Sequence, residues 1–290
     1  MLSALRWHGT KEALAALSSQ RGAYKVWTEK GRRIEAANPE LRRLHWRIAS
    51  LLRRVPPPDY RQSGVRGRSF VDNAKRHRAD EPSVKTDIKH FYPSITFNHV
   101  RRFFAESMHC ASDVAALLAD ICCINHRHLP TGGVHSEQLA FCCLKPCFDA
   151  INARTKARGG VLSVYVDDIM MTMPGASHGD LWWLKHLFAC HGIELHGADK
   201  SRVYRKGDVK TITGVHIHGG KLRAPQAQHL AIRDGLRALR NPGLTGAERT
   251  HAARSLVGHL DHVQQIDPRF AGRVERNHAR LAALLRGDAS

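Results

Sequence analysis

No stretch of this 290-residue chain reaches the roughly 20 apolar residues that a membrane-spanning helix needs. Its first residues, MLSALRWHGTKEALAAL, are interrupted by Arg6, His8 and Lys11 and lack the apolar run of a secretion signal, so a cytoplasmic protein with no membrane partner is expected. No GxxxxGK[ST] run is present, which argues against a P-loop nucleotidase. Internal repeats and low-complexity tracts are absent too. Aromatic residues make up only 7%, so base stacking has few candidates and none is mapped from the sequence. The seven cysteines are odd in number, and the doublets Cys122-Cys123 and Cys142-Cys143 sit among apolar residues. They read as reduced, buried thiols rather than a secreted framework. A zinc site from Cys122, Cys123, His126 and His128 fits no common ligand spacing.

Acidic residues are in deficit as well: 26 Asp and Glu face 45 Lys and Arg, a net charge of +19. A fixed field of that size has the phosphate backbone of nucleic acid as its commonest partner, an anionic membrane being the alternative. Residues 1–80 hold 18 Lys and Arg against 7 Asp and Glu, a net +11. Within them ELRRLHWRIASLLRR, Glu40 to Arg54, carries Leu41, Leu44, Ile48 and Leu51 at helical spacing with arginines on the other faces. Pro56–Pro58 ends it. A polar, basic loop or hairpin presenting Arg61, Arg66 and Arg68 is expected next.

Val84, Thr86 and Ile88 alternate with Lys85, Asp87 and Lys89 as in a strand. Downstream, VLSVYV (161–166) and IMMTM (169–173) read as strands of a tight hairpin with Asp167-Asp168 as its two-residue turn. Two adjacent carboxylates repel unless a cation neutralises them. Hard divalent ions such as Mg²⁺ bind through one or two carboxylates plus substrate phosphates. Two such ions, roughly 3.5–4 Å apart, serve phosphoryl transfer.

YVDD at 165–168, DIKHFYPSI at 87–95 and LPTGG at 129–133 stand in the order and rough spacing of reverse transcriptase blocks, and the chain resembles that family over about residues 25–285. More narrowly, NAKRH at 73–77 and ITG at 212–214 are similar to the NAxxH and VTG elements of the bacterial retron reverse transcriptases. The resemblance implies an α+β right-hand polymerase fold: N-terminal helices and basic fingers over 1–82, a palm of antiparallel sheet flanked by helices over 83–224, and a helical thumb over 225–290.

It further implies that Asp87, Asp167 and Asp168, with the backbone carbonyl of Ile88, hold two Mg²⁺ ions, Mn²⁺ being a substitute. Lys200 would protonate the leaving pyrophosphate. Arg66, Arg68, Tyr92, Thr131 and Gly132 would contact the nucleotide, Tyr92 rejecting a ribose 2′-OH. Lys30, Arg33, Asn73, His77, Thr213 and Gly214 would contact nucleic acid. The family usually has Gln at the place of Thr131 and often Ser-Pro at Ser136-Glu137, which bears on template positioning. The implied partners are dNTPs, a structured noncoding RNA and its RNA–DNA product, and an effector protein of an antiphage defence system. The rival readings are another defence-associated or abortive-infection reverse transcriptase, and a non-catalytic RNA-binding scaffold.

From Pro225 onward three helical segments are expected, HLAIRDGLRALR, TGAERTHAARSLVGHLDHVQQI and RVERNHARLAALL, broken at NPGLTG and IDPRF, with Thr245 a cap for the second. Over 225–290 the net charge is +4, from 10 basic and 6 acidic residues. A ribonuclease H domain, an endonuclease or a fused effector is not expected within the chain.

Overall fold

The computed structural model describes residues 2–19 and 22–286. In chain order the elements are α1 (Leu2–Leu5), α2 (Lys11–Ser19), β1 (Tyr24–Glu29), β2 (Arg32–Ala37), α3 (Pro39–Leu52), α4 (Phe70–Lys75) and β3 (Ser83–Asp87). There follow α5 (Phe91–Ser94), α6 (Phe97–Arg102) running into a π-helical turn, α7 (Ser112–Cys122), α8 (Ser136–Ala157), β4 (Val161–Tyr165), β5 (Asp168–Thr172) and α9 (His178–Ala189). The chain ends with β6 (Arg202–Tyr204), β7 (Lys210–Ile212), β8 (Val215–His218), β9 (Lys221–Arg223), α10 (Gln226–Ala238), α11 (Gly246–Ile266) and α12 (Ala271–Arg286). No helix among the described residues is long and apolar enough to cross a membrane.

Two compact units divide the chain, residues 1–68 with 83–203 in one and 69–82 with 204–290 in the other. The first is built around a four-stranded sheet of order β4-β5-β3-β6. β3, β4 and β5 are buried on both faces: Val84, Leu162, Val164, Ile169 and Met171 enter the core, and on the other face the buried hydroxyls pair, Ser83 with Thr172 and Thr86 with Ser201, each at 2.8 Å. The face of α8 carrying Leu144, Phe148 and Ile151 joins the same core, and Phe148 meets Phe188 of α9 edge-on at 6.1 Å.

α3 starts at a cap, Asn38, whose side chain accepts from Leu41 N, with Pro39 at the first helical position. It buries Leu41, Leu44, His45, Ile48 and Leu52. The His45 and His135 rings lie 3.9 Å apart in the interior, tilted by 39°, and each donates from Nε2 to a carbonyl, His45 to Ile121 O and His135 to Cys122 O. Burial keeps both imidazoles neutral, His45 falling to about 4. Cys122 and Cys123 are buried free thiols pushed upward by desolvation, while His126 bonds Asp120 and His128 bonds the Leu129 carbonyl.

The second unit sets the three-stranded sheet β7-β8-β9 against α4 and adds the helices α10, α11 and α12, α11 packing on both of the others. Leu256, Val257, Leu260 and Val263 of α11 form its spine. Thr245 caps α11 as expected, in a reciprocal box with Glu248. Phe70 of α4 stacks on His262 of α11 at 4.7 Å.

Candidate active site

β3 and β5 pair antiparallel with Asp87 directly opposite Asp168, and β4 pairs with β5 so that Tyr165 also faces Asp168. The two turn residues are therefore Val166 and Asp167, one position earlier than the expected Asp167-Asp168 turn. Asp168 belongs to a strand. Val166 takes φ +57, a left-handed conformation that a β-branched residue adopts only under constraint. The constraint is visible. Ser63 Oγ accepts from Val166 N at 2.8 Å, and Ile88 N donates to the Asp167 carbonyl at 3.1 Å. Residues 60–62 run along β4, with Val164 N donating to Tyr60 O and Gln62 N to Val164 O, both at 2.8 Å. The turn is thus fixed from two sides, which sets the three carboxylates at one end of the sheet.

These carboxylates strain one another. Burial and the Asp87 carboxylate push Asp167 up to about 6, and burial raises Asp168 despite Lys85. Lys85 Nζ lies 3.4 Å from Asp168, and Lys200 Nζ donates to Asp87 at 3.2 Å. His196 Nε2 stands 3.3 Å from Asp87 while its Nδ1 faces Asp199 at 3.2 Å. Nothing in the sequence spacing marked His196. It arrives because residues 194–196 bridge antiparallel to 87–89, Lys89 N donating to Glu194 O and His196 N to Asp87 O.

The donor set of Asp87, Asp167 and Asp168 is all carboxylate oxygen, the chemistry that fits a hard divalent ion. Among the described residues no group of three His, Cys, Asp or Glu side chains is gathered closely enough to hold a metal alone.

Tyr92 in α5 is half-buried beside the neutral core residue Phe91, their rings 5.1 Å apart. Burial and the neighbouring Glu137 and Asp167 carboxylates push its phenol up to about 12. Thr131 is bonded to β2, its carbonyl accepting from Glu35 N at 2.6 Å and its N–H donating to the buried Glu35 carboxylate at 3.3 Å. Gly132 lies exposed beside it at φ +107. Gly133 has no room for a side chain, since a Cβ there would stand 2.4 Å from Ser136 Oγ and 2.8 Å from Pro130 Cγ. Lys30 sits at the exposed tip between β1 and β2, and Arg33 bonds Glu35 at 2.9 Å.

Of the expected loop arginines only Arg66 is presented to solvent. Arg61 is buried at 3% exposure, donating to Gln138 at 2.7 Å with its guanidinium 4.4 Å over Phe141. Arg68 spends its Nη1 on the carbonyls of Pro58, Asp59 and Arg61. Both arginines hold the loop's backbone.

In the second unit Asn73 and His77 are buried, at 1% and 4% exposure. Asn73 Nδ2 donates to Thr213 Oγ1 at 3.4 Å, and Thr213 Oγ1 donates to Phe70 O at 2.9 Å. Thr213 and Gly214 make the left-handed two-residue turn between β7 and β8, Gly214 being exposed at φ +77. Burial, with Arg76 and Lys210 nearby, holds His77 neutral down to about 3. Sequence reasoning missed Lys210, which is fully buried and caps the carbonyls of Arg78 and Glu81. Its stretch, DVKTITG, reads as an ordinary polar strand start.

No family model matches the chain. In sequence it is similar to the retron Mx162 reverse transcriptase of Myxococcus xanthus, 25% identical over 238 residues that take in 72% of this chain and 48% of that protein. The retron Mx65 reverse transcriptase of the same organism is 27% identical over 283 residues, 90% of this chain and 62% of that one. The retron Se72 reverse transcriptase of Salmonella heidelberg (strain 579083-10) is 27% identical over 122 residues, 42% of this chain and 32% of its own. The chain spans about half the length of the first of these relatives and less than two thirds of the others. In structure it is similar to telomerase from Candida albicans, solved in complex with the TWJ fragment of telomeric RNA. The TM-score is 0.52 at 9% identity, covering 90% of this chain and 56% of that one, and the shared architecture is the right-hand polymerase fold.

Proposed function

We propose that this relative of the retron reverse transcriptases is itself an RNA-directed DNA polymerase of the retron type. The observation that carries the reading is the register that sets Asp87 opposite Asp168 with Asp167 in the adjoining turn, and Lys200 3.2 Å from Asp87. A carboxylate cluster costly enough to lift Asp167 to about 6 has no use in a scaffold that grips RNA by positive charge alone.

Two Mg²⁺ ions held by Asp87, Asp167, Asp168 and the Ile88 carbonyl would lower the charge barrier to attack of a terminal hydroxyl on a dNTP. Lys200, paired with Asp87 until nucleotide arrives, supplies a proton to the departing pyrophosphate. Tyr92 stands as the bulk that excludes a ribose 2′-OH; the exposed Gly132 offers backbone to the incoming nucleotide, and Thr131, whose own backbone is taken by Glu35, offers its side chain. Arg66 is free for its triphosphate, with Arg68 shaping the loop behind it. Lys30, Arg33 and Gly214 are the surface contacts for nucleic acid; Asn73, His77 and Thr213 support them from beneath. In this reading residues 1–82 act as fingers, 83–224 as palm and 225–290 as thumb. The template and primer are one structured noncoding RNA, the DNA product stays joined to it, and the complex works in the cytoplasm with an effector protein in antiphage defence.

The test is to purify the protein expressed with its flanking DNA, extract bound nucleic acid, and compare it with Asp167→Ala/Asp168→Ala. DNA of defined length joined to RNA, lost in the double variant, is the expected result. Bound RNA with no DNA in either sample overturns the polymerase reading, and unbranched DNA made only by the wild type moves the protein to another class of bacterial reverse transcriptase.

A further inference from the structure

A cleft of about 350 Å³ opens in the second unit between α10 and residues 270–273. Arg233, Arg237, Arg240 and Arg273 wall it over a floor that includes Ile232 and Phe270, and no carboxylate lines it. Among the described residues Arg233 pairs with Asp234 at 3.0 Å, whereas no ion pair reaches Arg237, Arg240 or Arg273. Asp267, close by in the chain, is taken by Arg269 at 2.6 Å. Cationic side chains around one cleft, three of them without an ion-pair partner among the described residues, repel one another, and an anion that enters relieves that repulsion.

The floor narrows the chemistry. Phe270 has the Arg273 guanidinium 5.5 Å from its ring centre and the His229 ring 5.7 Å away, tilted by 46°. An aromatic edge beside apolar Ile232 suits a planar, weakly polar group rather than a bare inorganic anion. From Arg233 to Ala238, where α10 ends, the helix rises roughly 7–8 Å at about 1.5 Å per residue, and Arg240 follows in the turn beyond it, the reach of a short run of linked phosphates. The volume is at the small end of ligand pockets, roughly 300–1,000 Å³. It is too small for a duplex and large enough for one nucleotide.

We infer that this cleft binds a single nucleotide unit, with phosphate on the Arg233–Arg237–Arg240 row and Arg273, and the base against Phe270. The unit is either a free nucleotide or an unpaired nucleotide of a bound RNA. The site is separate from the carboxylate site and needs no divalent ion, so it stands or falls independently of the polymerase reading.

The experiment uses the full chain in EDTA, which removes metal-dependent nucleotide binding, and follows fluorescence of mant-labelled ATP. Competitors are ATP, adenosine, inorganic tripolyphosphate and an unstructured RNA pentamer. Saturable one-to-one binding is expected, weakened about tenfold by Arg237→Gln and by Arg273→Gln, since each removes a charge-assisted contact. Phe270→Leu weakens ATP by about fivefold and leaves tripolyphosphate unchanged. The arginines are exposed, so their variants fold. Stronger competition by the pentamer than by ATP identifies an RNA nucleotide as occupant, and the reverse identifies a free one. No saturable binding by any probe, binding indifferent to all three variants, or tripolyphosphate equalling ATP with Phe270→Leu silent would each overturn the assignment.

Discussion

Asp167→Asn should make the protein more stable while destroying its proposed chemistry. Asp167 is lifted from 3.8 to about 6, roughly two units, and at about 1.36 kcal/mol per unit this is about 3 kcal/mol held against folding once the group is ionised. The turn is partly open to solvent, and screening brings the figure to about 1–2 kcal/mol. The folded state binds the proton more tightly than the unfolded one. Stability therefore rises as pH falls from about 6 toward 4 and is lowest, in this respect, above 6. Asn keeps the size and removes the charge. At pH 7.5 the variant is expected to melt about 3–6 °C higher, at roughly 2–4 °C per kcal/mol for a chain of this size, with the difference from wild type shrinking to nothing by pH 4. The assay is thermal unfolding of both proteins from pH 4 to 8 at fixed ionic strength, repeated with Mg²⁺, which should raise the wild type more than the variant. A variant no more stable at pH 7.5, or a difference that does not change with pH, refutes the account of the carboxylate cluster as strained.

Asp87→Asn should abolish nucleotide incorporation on a primed RNA in an extension assay, yet leave RNA affinity within about twofold by filter binding, because phosphate contacts on Lys and Arg carry that affinity. Gly133→Ala puts a methyl group into Ser136 and Pro130 and should cost about 1–3 kcal/mol, read as a lowered melting temperature; an unchanged one would mean the loop yields freely. Lys210→Met strands two buried carbonyls, Arg78 O and Glu81 O, and should cost about 2 kcal/mol or more. Amides of residues 76–82 should then exchange faster with deuterated solvent while those of β3–β5 do not.

The carboxylate hairpin was legible because period-two patterning on both sides of two aspartates leaves few alternatives, and the thumb-like helices because their breaks carry proline and glycine. α3 was legible from Leu41, Leu44 and Ile48. Its fourth expected contact, Leu51, is only half-buried, and Leu52 takes the buried place instead. The turn was read one residue late because local propensity favours Asp over Val at φ +57. Bonds from Val166 N to Ser63 and from Ile88 N to the Asp167 carbonyl, with partners from distant parts of the sequence, override it. The same cause hid Arg61, Asn73 and His77. Basic and polar residues read as surface by composition, and only tertiary partners such as Gln138 and Thr213 make their burial affordable. His196 was invisible because a single histidine in a short bridge carries no period.

The second unit is assembled from two pieces far apart in the chain, and that has a consequence in time. Residues 69–82 leave the ribosome with their partners unmade: Thr213 lies 143 positions beyond Phe70, and Lys210 lies 129 beyond Glu81. At roughly 5–20 residues per second translation takes on the order of ten seconds to supply them. For that interval the first unit can close around its sheet and bring its three aspartates together, while the segment bearing Asn73 and His77 waits as an unsatisfied strand of chain. A pause, a protease or a chaperone acting in that window would meet a nascent protein whose carboxylates are already in register and whose second unit does not yet exist.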